Sequence, residues 1–157
     1  MATRAPQKIA QIAQEALALS GQRGILTAGW GGLDTANLPD HIFALDSVPH
    51  SWLFPRMAAV VHHGGAGTTA AGFRAGIPSI LVPHLGDQPF WASRVTALGV
   101  GPQSIPRRKL TAERLAAAIT IATTDQNMQA RSADLGKRIR AEDGVARTIE
   151  IIASFTQ

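Results

Sequence analysis

The strongest constraint in this chain is a junction. The apolar run Ala58-Ala59-Val60-Val61 leads without a break into His62-His63-Gly64-Gly65-Ala66-Gly67-Thr68-Thr69, and a helix-forming segment follows as far as Gly76. A strand that turns through glycines into a helix gathers free backbone N–H groups and the positive helix end around one point. Such a point suits an anion, above all phosphate. Glycines let the backbone approach a ligand with no Cβ in the way. The hydroxyls of Thr68 and Thr69 can donate to phosphate oxygens. The plain alternative is a tight strand-to-helix turn without a ligand.

Around this junction, helical and short apolar segments alternate, the mark of an α/β domain with a parallel sheet. Residues 6–20 read as an amphipathic helix: Pro6 suits its first turn, Ile9, Ile12, Ala13, Ala16 and Leu17 form one face, and Gly21 stops it. Strands are expected at 24–28, 42–45, 58–61 and 79–82, with a short edge strand at 100–105. Helices are expected at 68–75, 89–98, 111–123, 127–141 and 144–155, and Trp52-Leu53-Phe54 as a helical turn that packs. Thr111 can cap the helix whose Leu115, Ala118, Ile119 and Ala122 point inward.

A doubly wound domain begins with a strand, and that strand sits centrally in the order 3-2-1-4-5-6. This chain begins with a helix. The expected fold is therefore a Rossmann-like parallel sheet flanked by helices, one domain over residues 1–157, with its first central strand missing. Either something upstream supplies that strand or the chain is a fragment. A sheet that starts elsewhere is the alternative.

Composition narrows the functional classes. With 157 residues, 45% hydrophobic and 17% charged, the chain can bury a core and is not a disordered segment. No apolar run reaches the ~18 residues of a membrane span, and the first residues lack the apolar stretch of a secretory signal. A cytoplasmic protein is expected. The absence of Cys excludes disulfides, thiolate metal sites and a cysteine nucleophile. Residues 1–100 hold 6 Lys/Arg against 5 Asp/Glu, and residues 101–157 hold 9 against 6, which together give the net +4. That modest excess, with no Tyr, does not make the broad basic, aromatic-interleaved face of a nucleic-acid binder.

Three phosphate chemistries compete for the glycine turn. A P-loop needs a Gly-Lys-Ser/Thr ending, and the turn contains no Lys. A dinucleotide fingerprint is closer: Gly65-Ala66-Gly67-Thr68-Thr69-Ala70 fits the pattern and Asp87 lies twenty residues after Gly67. In that fold, however, the acid closes the second strand, whereas Pro83-His84-Leu85-Gly86 intervene here. The third is a nucleotide-sugar diphosphate site, and it explains more residues. No metal is expected, because adjacent His62 and His63 on extended chain point to opposite sides.

His63-x-Gly65-x-x-Thr68, Gly76-Ile77-Pro78, Pro83 and Asp87-Gln88 resemble the donor-binding signature of the family 1 UDP-glycosyltransferases, which have the two-domain GT-B fold. The stretch at 62–95 is most similar to sterol 3-β-glucosyltransferases and to bacterial transferases acting on macrolides and glycopeptides. Gly29-Trp30-Gly31-Gly32 and Val48-Pro49-His50-Ser51-Trp52-Leu53-Phe54 extend the likeness, which covers roughly residues 1–123. It implies the C-terminal, donor-binding half of the fold. His63 would contact the diphosphate; Gly65, Gly67, Thr68 and Thr69 would hold its phosphates; Asp87 and Gln88 would bond sugar hydroxyls. The segment Ser47, Val48 and His50, with Trp52, would lie near the nucleoside.

The departures are informative. Ala71 stands where the plant signature has a ribose-binding Glu, Ala66-Gly67 replace a Trp-Asn pair, and His50 replaces a Gln in a shorter loop. The implied reaction is inverting transfer of a hexose, glucose foremost, from a UDP-sugar to a hydroxyl of a lipophilic acceptor, with no cofactor. The general base belongs to the N-terminal acceptor domain, so no catalytic residue is assigned here. Two other readings stay open: a stand-alone nucleotide-sugar binding module or subunit, and an NAD(P)-binding oxidoreductase domain.

Overall fold

The computed structural model describes residues 4–27 and 38–155. Its elements run α1 (Arg4–Ser20), β1 (Gly24–Thr27), β2 (Ile42–Leu45), α2 (His50–Leu53), β3 (Val60–His62), α3 (Ala66–Ala75), β4 (Ser79–Leu81), α4 (Gln88–Leu98), α5 (Ala112–Thr124), α6 (Gln126–Ala141) and α7 (Gly144–Ser154). Short 3-10 turns lie at Phe54–Arg56 and Arg107–Lys109. The alternation expected from the sequence is present. The segment Gly29-Trp30-Gly31-Gly32 lies outside the described residues.

The strands form two parallel pairs. β1 pairs with β2 from Gly24–Ile42 to Thr27–Leu45, and β3 pairs with β4 from Val60–Ser79 to His62–Leu81. Among the described residues no ladder joins the pairs. In the doubly wound order, strands pair in this parallel way on either side of a central strand. Side chains alternate across a strand, so β4 serves two cores. Ile80 packs among Ala16 of α1 and Leu115, Ala118, Ile119 and Ala122 of α5. Leu81 packs on the other face with Ala92 and Val95 of α4, Val100, and the flanking Phe73 and Leu135.

Several boundaries move for physical reasons. β3 starts at Val60, where the Val60 N–H donates to Pro78 C=O at 3.0 Å; Ala58 and Ala59 precede the ladder. α3 starts two residues earlier than expected, because the helix opens directly on Gly65. The expected edge strand at 100–105 is not a strand. Its backbone hydrogen bonds to β4 come only from its ends, Ser79 N–H to Val100 C=O at 3.0 Å and Ile105 N–H to Leu81 C=O at 2.9 Å. Pro102, which has no N–H, sits between and prevents a continuous ladder. In the helical turn at 50–56, Leu53 and Phe54 are buried, but Trp52 is half exposed, its ring under the Arg56 guanidinium at 4.4 Å.

Caps match the sequence. The Thr111 hydroxyl accepts from Arg114 N–H at 3.3 Å, and Asp125 accepts from Met128 N–H at 3.0 Å. α7 differs from the other long helices: none of its residues is buried, and Val145, Ile149 and Ile152 are 73%, 61% and 60% exposed on one side.

α3 and α6 meet closely at Gly136, where a Cβ would fall 2.6 Å from Gly76 Cα and 2.8 Å from the Phe73 carbonyl oxygen. Both neighbours are backbone and cannot move aside cheaply. Gly136→Ala is expected to lower stability by roughly 1–3 kcal/mol in thermal or urea denaturation. Gly144→Ala, with nothing within 4 Å, is expected to leave stability within about 0.5 kcal/mol.

Candidate functional site

The site is built at the carboxyl ends of β3 and β4, where ligands bind in open α/β sheets. β3 ends at His62, and the chain passes through His63 and Gly64 to Gly65, the N-cap of α3. Gly64 has φ +93°, a left-handed conformation reserved for glycine. The turn is held by the Gly64 N–H, which donates to His62 Nδ1 at 3.1 Å. α3 has no side-chain cap at Gly65, and its first backbone bond is Thr69 N–H to Gly65 C=O at 2.9 Å. The amides of Ala66, Gly67 and Thr68 precede that bond and have no acceptor within the helix. They form the positive end that the sequence implies.

The side chains divide into those turned outward and those committed inward. His63 is exposed, and its ring folds back over Gly65, with Nε2 2.6 Å from where a Gly65 Cβ would stand. A Cβ on Gly67 would meet nothing within 4 Å, so the first turn is open to a ligand. Thr68 is partly buried. Thr69, also expected among the phosphate contacts, is placed differently. It is fully buried, and its hydroxyl donates to Gly65 C=O at 2.9 Å. It braces the first turn and offers no donor outward.

The loop after β4 comes to the same place. A Cβ on Gly64 would lie 3.0 Å from Leu81 Cδ2 and 3.3 Å from the Gln88 carbonyl oxygen, so the two loops are in backbone contact. Gln88 Oε1 accepts from His84 N–H at 2.7 Å and from Leu85 N–H at 3.2 Å. Its carbonyl is thereby used, and its –NH2 remains to donate. Asp87 is exposed, and its Oδ2 accepts from the Trp91 indole N–H at 2.9 Å. That bond fixes the carboxylate and leaves Oδ1 for another donor.

The third expected segment lies beside α3. α2 packs on α3. His50 stacks on Phe54 with ring centroids 4.5 Å apart, and Ser47 and Trp52 are exposed while Val48 is partly buried. A groove of about 870 Å³, lined by Lys8, Ile12, His84, Pro89, Arg107 and Leu110, adjoins the outer side of the 83–89 loop. No residue of the glycine turn lines it, and the turn lies on open surface instead. Sequence reasoning gave no role to His62 or Trp91. The signal for Trp91 was its i+4 spacing from Asp87 at a helix start; for His62 it was its place two residues before Gly64.

The fold and the site define a parallel α/β unit with an uncapped helix N-terminus beside a fixed carboxylate. A family model described as "Erythromycin biosynthesis protein CIII-like, C-terminal domain" matches residues 25–152, and the chain belongs to this family. A sterol 3-beta-glucosyltransferase of Arabidopsis thaliana is 49% identical over 146 residues, 92% of this chain and 23% of that protein. A sterol 3-beta-glucosyltransferase of Cryptococcus neoformans is 45% identical over 161 residues, 94% of this chain and 10% of that protein. The chain thus spans a quarter or less of the curated relatives it matches. The glycotransferase of kitacinnamycin superposes with a TM-score of 0.83 at 26% identity, over 94% of this chain and 39% of that one. Glycosyltransferase VinC, solved in complex with dTDP, gives 0.69 at 30% identity, over 76% of this chain and 30% of that one. The resemblance to sterol and macrolide glycosyltransferases therefore holds, and with it the α/β fold of a GT-B C-terminal half.

His62 is held near pKa 4, below the ordinary 6.5, first by burial and then by the neighbouring charges of His63 and His50. Between those values the unfolded chain takes up a proton that the fold excludes. Stability is therefore full above pH 6.5, falls as pH drops through the window, and levels off below about 4. At about 1.4 kcal/mol per pH unit of the window, this component reaches at most about 3 kcal/mol. Urea denaturation between pH 7 and 4 is expected to show it, and His62→Asn, which does not titrate, to lack it.

Proposed function

We propose that this chain is the nucleotide-sugar binding half of an inverting glycosyltransferase, moving a hexose from a nucleoside diphosphate to a hydroxyl of a lipophilic acceptor such as a sterol or macrolide. The observation that carries this is the contact between Gly64 and the Gln88 backbone. It sets a helix N-terminus beside the exposed Asp87 and the partly buried Gln88, as a diphosphate joined to a sugar requires. A dinucleotide site needs no second polar loop there.

In this reading the diphosphate lies against the amides of Ala66, Gly67 and Thr68, with the Thr68 hydroxyl and His63 donating. Asp87 Oδ1 accepts from one sugar hydroxyl, and the Gln88 –NH2 donates to another. The acceptor oxygen attacks the anomeric carbon as the bond to the diphosphate breaks, and the leaving group departs with the electron pair. The helix end, His63 and Thr68 stabilise the charge that develops, and the reading assigns this work without a metal. The acceptor's proton passes to a base on a separate acceptor-binding domain. The apolar face of α7, Val145, Ile149 and Ile152, is the surface we assign to that domain. The expected cytoplasmic location accords with a soluble nucleotide-sugar donor.

UDP is the expected nucleotide from the sequence; the dTDP complex of VinC makes dTDP the second reading. Calorimetric titration of UDP, dTDP, UDP-glucose and NAD decides between them. UDP is expected to bind, His63→Ala to weaken it about tenfold, and Asp87→Ala to weaken UDP-glucose while sparing UDP. Binding of NAD with no signal from either nucleoside diphosphate would sink the proposal. Ile149→Ser with Ile152→Ser is expected to raise the concentration at which the chain self-associates, read by light scattering, with UDP affinity unchanged.

A further inference from the structure

We propose that His62 is a positioning residue of the phosphate site: its ring, acting as a permanent acceptor for the Gly64 amide, sets the glycine turn for ligand binding. The inference rests on the donor-site reading for its ligand but on its own geometry for its mechanism.

The Gly64 N–H donates to His62 Nδ1 at 3.1 Å. That nitrogen must carry a lone pair, so the proton of the neutral ring is on Nε2. An imidazolium would present N–H to N–H and break the bond. Nε2 itself is shut off from solvent, with no protein acceptor among the described residues. Burial and the two neighbouring histidines, His63 and His50, resist protonation. The ring is therefore locked in one tautomer and one charge state through the physiological range.

The pattern is that of an Asx turn, in which a side chain accepts from the backbone N–H two residues on. Its consequence here is specific. Gly64 is left-handed, and it packs against Leu81 and the Gln88 carbonyl. Fixing its amide fixes both the start of α3 and the distance between the phosphate turn and the sugar loop. Without the His62 acceptor, the Gly64 N–H competes for other partners, and the amides of α3 lose their aim.

Two measurements test this. Imidazole 15N NMR of the chain should show His62 as the Nε2–H tautomer, not titrating above pH 5, with the Gly64 amide slow to exchange. UDP titration should show His62→Leu weakened by about tenfold, the loss of one well-placed hydrogen bond. His62→Asn, which restores an acceptor at the same reach, should stay within threefold of the parent. A His62 ring protonated on Nδ1, or titrating at its ordinary value, overturns the proposal. So does a folded His62→Leu that binds UDP as the parent does. If the parent binds neither UDP nor dTDP, the donor-site reading fails, and the tautomer with the Gly64 exchange rate still decides the role of His62.

Discussion

The structure depends on one short strand. β4 is three residues long and wholly buried, and it is bonded along one edge to β3 and at its ends to Val100 and Ile105 on the other. Ile80 anchors the core under α1 and α5, and Leu81 anchors the core under α3 and α4. All three residues are buried, Ser79 included, so both faces of the strand are covered. Both loops of the candidate site leave from the carboxyl ends of β3 and β4. Their relative position is thus inherited from three ladder positions and one close contact, Gly64 on Leu81 and Gln88.

Within that frame, the site separates scaffold from contact more strictly than its motif suggests. Of the two threonines opening α3, one is spent on the turn: Thr69 returns its hydroxyl to Gly65. Of the acid–amide pair, Gln88 spends its carbonyl on two loop amides and Asp87 spends one oxygen on Trp91. Each of these bonds costs the ligand one contact and removes a rotational freedom. That is the usual exchange by which a site is organised before its ligand arrives. What remains outward is His63, Thr68, three backbone amides, one carboxylate oxygen and one –NH2 group.

Much of this was legible in the residues. The strand, glycine turn and helix at 58–76 followed from apolar run, glycines and alanines, and the Thr111 cap from its side chain. The division of labour between Thr68 and Thr69 was not legible, because it depends on which side of the first helical turn faces the core. Nor was the failure of the 100–105 strand, where Pro102 was visible but the partner edge was not. The exposure of Trp52 was hidden for a related reason. Its partner at the surface, the Arg56 guanidinium over the ring, comes from one turn further along the chain.

The separation of the strands into two pairs has a consequence for motion. Among the described residues no backbone ladder ties β1 and β2 to β3 and β4. The unit formed by α1, β1 and β2, within which Leu17 covers Gly24, is attached chiefly by the packing of α1 on α5. Side-chain contacts open at lower free energy than a continuous sheet, and regions joined in this way exchange their amides as separate cooperative units. The glycine turn belongs wholly to the second unit. Detaching the first unit would strip α1 from the core around Ile80, on which β4 itself rests.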